Sequence, residues 1–206
     1  MNASISRVAV IALAVIFPMS GCDDSKSSLS SPEQSEADGR LVGAWREVRD
    51  KGTVFYHVGQ LGGKSPEAVM RVILVSTSDA GELQSPAQTV AFPSSIGKAR
   101  YLNVAAMDPK DIEPLRTEQW ESGEIGPYFL MKYEVNREGD EIRLWGMKDS
   151  AKRKAIEAGR IQGHIKQPGE SGTTRLTDTS ENIAQWVAAE GDRLFAEKPL
   201  ILERVK

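Results

Sequence analysis

Few side chains in this sequence are spaced for covalent or acid–base chemistry. The chain holds one cysteine, Cys22, two histidines, His57 and His164, and 29 acidic residues. A catalytic serine needs a base beside it and a sharp turn to present its hydroxyl. Both histidines sit in strand-like runs, Val54–Val58 and Gly163–Ile165, without clustered acids, and no Gly-x-Ser-x-Gly elbow occurs. Satisfied or solvent-facing histidines are the simpler reading. Metal spacing of the His-x-x-x-His or Asp-x-Asp-x-Asp kind is absent. Asp108, Asp111 and Glu113 gather after Met107, but the adjacent Pro109 and Pro114 point to a capped turn rather than a calcium loop. Gly59-Gln-Leu-Gly-Gly-Lys64-Ser65 approaches a phosphate loop. That motif needs four residues between its first glycine and Gly-Lys-Ser, and here there are three. A connection between two strands is expected there instead. No metal and no cofactor is called for.

Cys22 stands apart because of what precedes it. Arg7 supplies a positive start, Val8 to Phe17 form an apolar run, and Ser20 and Gly21 are the small residues a signal peptidase needs. The segment Ile16-Phe-Pro-Met-Ser-Gly-Cys22 resembles the lipobox of bacterial lipoproteins, with Met19 where leucine is commoner. The resemblance implies that residues 1–21 are a removable signal peptide and that the Cys22 thiol is diacylated. It also implies a bacterial cell-envelope location facing the periplasm, with the membrane as a partner through the acyl chains. Asp23 resembles the inner-membrane retention signal of enteric lipoproteins. An apolar run of ten residues falls short of the about 20 that a spanning helix requires. An ordinary secretory cut would strand a lone thiol in an oxidising compartment. With no second cysteine the mature chain has no internal disulfide and must fold on packing alone.

Asp23 to Gly39 reads DDSKSSLSSPEQSEADG, with six serines and only Leu29 and Ala37 apolar. Such a composition buries little surface, so residues 22–39 are expected to be a lipidated cysteine and a disordered tether. Seventeen residues would reach roughly 55 Å extended. Residues 40–206 then form a single globular domain, long enough for its own core. Removal of residues 1–22 takes Arg7 and no acid, leaving 25 basic against 29 acidic residues. Mild acidity argues against a nucleic-acid partner.

The elements that must position any site are mostly strands. Phe129, Met131, Tyr133 and Val135 alternate with Leu130, Lys132 and Glu134, the period of a half-buried strand. Asn136 to Asp140 is turn chemistry, and Glu141 to Met147 returns with Ile142 and Leu144 on one face and Trp145 on the other. Further strands are expected at Val42–Val48, Thr53–Val58, Val69–Ser76, Tyr101–Ala106, Ile161–Lys166, Thr174–Leu176 and Leu200–Val205, with a weaker signal over Gln88–Phe92. One helix is expected from Asp149 as cap to Gly159, with Lys152-Arg153-Lys154 facing outward. A second starts near Asp178 and buries Ile183, Trp186 and Val187. The polar stretches Ser78–Ser95 and Glu118–Pro127, the latter holding Trp120, read as loops.

The order of elements predicts a strand-rich α+β fold: an antiparallel curled sheet or a closed barrel, with two helices in the C-terminal third. Gly43-Ala44-Trp45 near the start and Arg204 near the end resemble the ends of a lipocalin-like barrel. In that family a Gly-x-Trp opens the first strand, and the tryptophan meets an arginine from near the C-terminus. The resemblance implies a cation–π contact between Arg204 and Trp45, and a carrier of a small apolar ligand. Three readings of function follow. The chain is a lipid-anchored binding or interaction module for a protein partner, a lipocalin-like carrier, or an enzyme whose site is assembled from carboxylates and loop residues.

Overall fold

The computed structural model describes residues 25–47, 52–63, 65–78, 80–105, 112, 125–165 and 174–206. Cys22, Lys64, Asp108, Asp111, Glu113 and Trp120 lie outside the described residues.

Eight strands close into an antiparallel barrel, consistent with the lipocalin-like expectation: β1 (Gly43–Glu47), β2 (Thr53–Gln60), β3 (Met70–Thr77), β4 (Ala87–Ile96), β5 (Ala99–Ala105), β6 (Tyr128–Val135), β7 (Glu141–Gly146) and, after a long excursion, β10 (Leu200–Arg204). Each strand pairs with its sequence neighbour, and β10 seals the ring between β7 and β1. The excursion holds α1 (Asp149–Glu157), α2 (Ser180–Glu190), and a separate two-stranded ladder of β8 (Gly163–His164) and β9 (Arg175–Leu176). The strand expected over Ile161–Lys166 is thus a two-residue piece of that side ladder.

Two apolar cores result, one on each face of the sheet. The first draws buried side chains from all eight barrel strands, among them Trp45, Tyr56, Leu74, Ala91, Val104, Met131, Ile142 and Leu202. It is therefore the barrel interior. The second joins Val90, Phe92, Tyr101, Ala105 and Leu130 on the outer face of β4–β6 to Ile183, Trp186, Val187, Leu194 and Phe195. The helical excursion folds back as a layer against that side of the barrel.

The N-terminal segment corrects the expectation of a disordered tether. From Ser25 onward the chain is a packed strap on the outer face of the barrel. Ser25 exchanges two backbone hydrogen bonds with Tyr128, at 2.8 and 2.7 Å, and Lys26 N–H donates to the Leu176 carbonyl at 2.8 Å. The Leu29 side chain is buried, and its N–H donates to Asn103 Oδ1 at 2.8 Å. The Ser27 hydroxyl donates to the Asp178 carbonyl, and the Ser30 and Ser94 hydroxyls share a hydrogen bond. The serine-rich composition failed as a sign of disorder because these hydroxyls are satisfied by the fold, so one leucine suffices to seat the strap. The ordered structure accordingly begins before residue 40.

The helices keep their expected places with three local corrections. Lys148 rather than Asp149 is the cap position of α1, and Thr179 rather than Asp178 caps α2, its hydroxyl accepting from Asn182 N–H. Lys152 does not face outward. It is 2% exposed, and its Nζ donates to the Thr174 carbonyl at 3.3 Å. The face of α1 that carries Ala155 also carries position 152, one turn earlier, and this is the buried face of the helix.

Candidate functional site

The two ends of the barrel differ. At one end lie the β4–β5 hairpin at Gly97-Lys98, the β6–β7 hairpin at Asn136–Asp140, and the start of β1. A 3-10 turn, Gly39–Leu41, crosses this end and inserts Leu41 into the interior core. Trp45 is fully buried beside it, with its indole N–H donating to the Leu41 carbonyl at 2.8 Å.

Trp45 and Arg204 are register partners across β1 and β10, and the guanidinium carbon stands 4.1 Å from the ring centroid. Arg204 also ties three separate segments together. Its Nε donates to the Gly139 carbonyl, Nη1 to Val42 and Nη2 to Arg40, at 2.7, 3.0 and 2.8 Å. Gly43 is required where it stands. Its φ of 142° disfavours an L side chain, and a Cβ there would run into Arg204 Nη1. Gly43, Trp45 and Arg204 therefore form one unit that shuts this end of the barrel.

A second polar group backs that unit. Asp38, the cap of the 3-10 turn, accepts from Arg40 Nε at 2.9 Å, Arg40 Nη2 at 2.7 Å and the Tyr133 hydroxyl at 3.0 Å. The Arg40 hydrogen bond outweighs burial and holds the carboxyl below its ordinary range. Burial, followed by the charge of Asp38, pushes the Tyr133 phenol well above its ordinary value, so it stays a donor. The local signal for this cluster was Asp38 preceding a Gly-Arg turn. Its partner Tyr133 lies 95 positions away and could not be paired by spacing.

Between the ends, the interior is lined almost wholly by apolar side chains. Polar residues interrupt it: Thr89 shares the inner face as the register partner of Val72, and Tyr56 donates its hydroxyl to Glu47 Oε2 at 2.8 Å, both of the latter being buried. The lining is not sealed against solvent. Val58, Val72, Ala87, Leu102, Phe129, Val135 and Leu200 face the interior core yet are only partly buried. Val72 and Leu102 decide what this means. Val72 stands mid-strand between Met70 and Leu74, both buried on the same face, and Leu102 stands mid-strand on β5 opposite Met131. These are the positions that would line an interior cavity.

The histidines are not drawn into this region. His57 is exposed on β2 opposite Ala44, and His164 is exposed on the side ladder opposite Arg175. Gly59 ends up within β2, and the Leu61–Val69 segment that follows joins β2 to β3. Among the described residues no three His, Cys, Asp or Glu side chains converge as metal ligands. Outside the barrel, a cleft of about 200 Å³ lies beside Trp186, between α1 and α2. Lys148, Lys154, Arg160 and Arg193 line it against Glu190, which pairs with Arg160. Most of these basic residues are exposed, which makes the cleft a solvated cationic surface rather than an enclosed site.

No protein-family model matches the chain, and neither a curated protein nor a solved structure matches it.

Proposed function

We propose that the protein is a lipid-anchored, periplasm-facing binding module whose barrel interior takes a small apolar ligand. The observation that supports this reading is the partial exposure of Val72 and Leu102, which face inward at mid-strand in a mainly apolar lining. An interior cavity with such a lining would favour hydrocarbon or an aromatic ring, because transfer from water gains about 25 cal/mol per Å² of apolar surface. The Glu47–Tyr56 pair supplies one place where a ligand's polar end can be met. The closed end gives such a ligand a floor. The anchor rests on Cys22 and the residues that precede it, and acyl labelling of wild type against Cys22→Ser tests it directly. No helix among the described residues is long and apolar enough to cross a membrane.

Titration of the purified protein with a pyrene-labelled fatty acid tests the carrier reading. Saturable binding at one site is expected. Leu102→Trp should fill the interior and weaken that binding by about tenfold or more, which corresponds to about 1.4 kcal/mol, while far-UV dichroism is unchanged. Absence of saturable binding, or equal binding by Leu102→Trp, removes the carrier reading.

A further inference from the structure

We infer that the end of the barrel opposite the Trp45–Arg204 closure is held against the bilayer, so that the barrel is oriented on the membrane rather than suspended above it. This rests on the acylation of Cys22 proposed above and adds a docking surface with a lipid surface as its occupant.

The first ground is the length of chain between the anchor and the fold. Asp23 and Asp24 alone separate Cys22 from Ser25. Three residue steps span at most about 11 Å even when fully extended. Ser25 is not a loose point. Its N–H and carbonyl are both bonded to Tyr128, and Lys26 is bonded to Leu176 beside it. Tyr128 is the first residue of β6 and pairs with Ala105, the last residue of β5. Both therefore lie on the rim far from the 3-10 turn. From this rim the strap runs back toward the closed end, past Asn103 and Ser94 to Asp38. An acyl chain on Cys22 thus pulls on the rim.

The second ground is independent of the strap. Leu83 is 76% exposed, well above the other large apolar residues that stand out to solvent, Val42 and Val205. It sits in the β3–β4 connection on this same rim, where it bridges Thr77. The connection is a hydrogen-bonded turn: Ser78 N–H donates to the Glu82 carbonyl and Gln84 N–H to the Ser76 carbonyl, each at 2.9 Å. It presents an isobutyl group outward at the end of the barrel to which the leash is tied. An apolar ligand would then pass between bilayer and barrel without crossing water.

The test uses the acylated full chain in phosphatidylethanolamine–phosphatidylglycerol vesicles. Acylation occupies Cys22, so Leu83→Cys or Lys98→Cys offers a single thiol for an NBD fluorophore, on the rim and on the closed-end hairpin respectively. Lipid-borne doxyl quenchers should quench the label at position 83 severalfold more than the label at 98. A flexible spacer of about 20 residues inserted between Asp24 and Ser25 should reduce that difference, since such a coil reaches roughly 25 Å. Acyl incorporation and vesicle flotation are read on the same samples. A protein that incorporates no acyl chain overturns the anchor and this inference with it. An acylated, floating protein with equal quenching at the two positions overturns the orientation alone.

Discussion

At the scale of single residues, Arg204 does more than stack on a ring. Its three carbonyl partners belong to the 3-10 turn, to the residue before β1 and to the β6–β7 hairpin, so one side chain fastens three segments of the closed end. Trp45→Ala should cost about 3 to 5 kcal/mol as the loss of a core aromatic. Arg204→Ala should cost less, because water can reach part of what it leaves. The double mutant should cost less than the two together, since the groups touch; additivity in urea denaturation would contradict the coupling. Asp38 makes a prediction in pH. Its folded-state pKa is depressed, so the stability it contributes is fully present above the unfolded carboxyl value of about 3.9 and is lost as pH falls through the lower folded value. The stability gap between wild type and Asp38→Asn should therefore be widest near neutrality and shrink below about pH 4, and a gap independent of pH would refute the assignment. Gly43, Trp45 and Arg204 were legible in the sequence because their types and their places at the two ends of the domain are distinctive. Asp38 with Tyr133, and Lys152 with Thr174, were not, because a buried polar side chain is defined by a partner that spacing along the chain does not reveal.

At the scale of elements, legibility followed the number of faces each element buries. The β6–β7 hairpin alternates buried Met131, Tyr133, Ile142 and Leu144 on the interior face with exposed Glu134 and Arg143 on the outer one, and so shows a period of two. β4 is the longest barrel strand but gave the weakest signal, because both its faces are covered: Val90 and Phe92 belong to the outer core, and Ala91 to the inner one. Pro93 added to the disguise. β4 has by then run past Met70, its last pairing with β3, so the absent proline N–H breaks no ladder bond on that side. The strap was hidden for the opposite reason. It is held by serine hydroxyls and backbone groups, which leave no hydrophobic period, with Leu29 as its one buried large apolar side chain. Leu29→Ala should destabilise the protein by about 2 to 5 kcal/mol. Calorimetry should show the melting temperature falling, and an unchanged value would mean that the strap is dispensable to the fold.

At the scale of the whole molecule, the helical layer and the strap cover the outer face of β4–β6, while β1–β3 and β10 lie outside that second core. The barrel is thus a container braced along one wall, which leaves its interior to be shaped by strand packing alone. Its closure depends on Trp45 meeting Arg204, the first and last strands of the chain. Contacts of such long sequence separation form late and slowly, because the loop entropy must be met before the contact repays it. Until β10 has been delivered, β1 and β7 are edges exposed to other chains. The chain is consequently most prone to aggregate before β10 is in place, and that strand acts as the latch that ends the exposure.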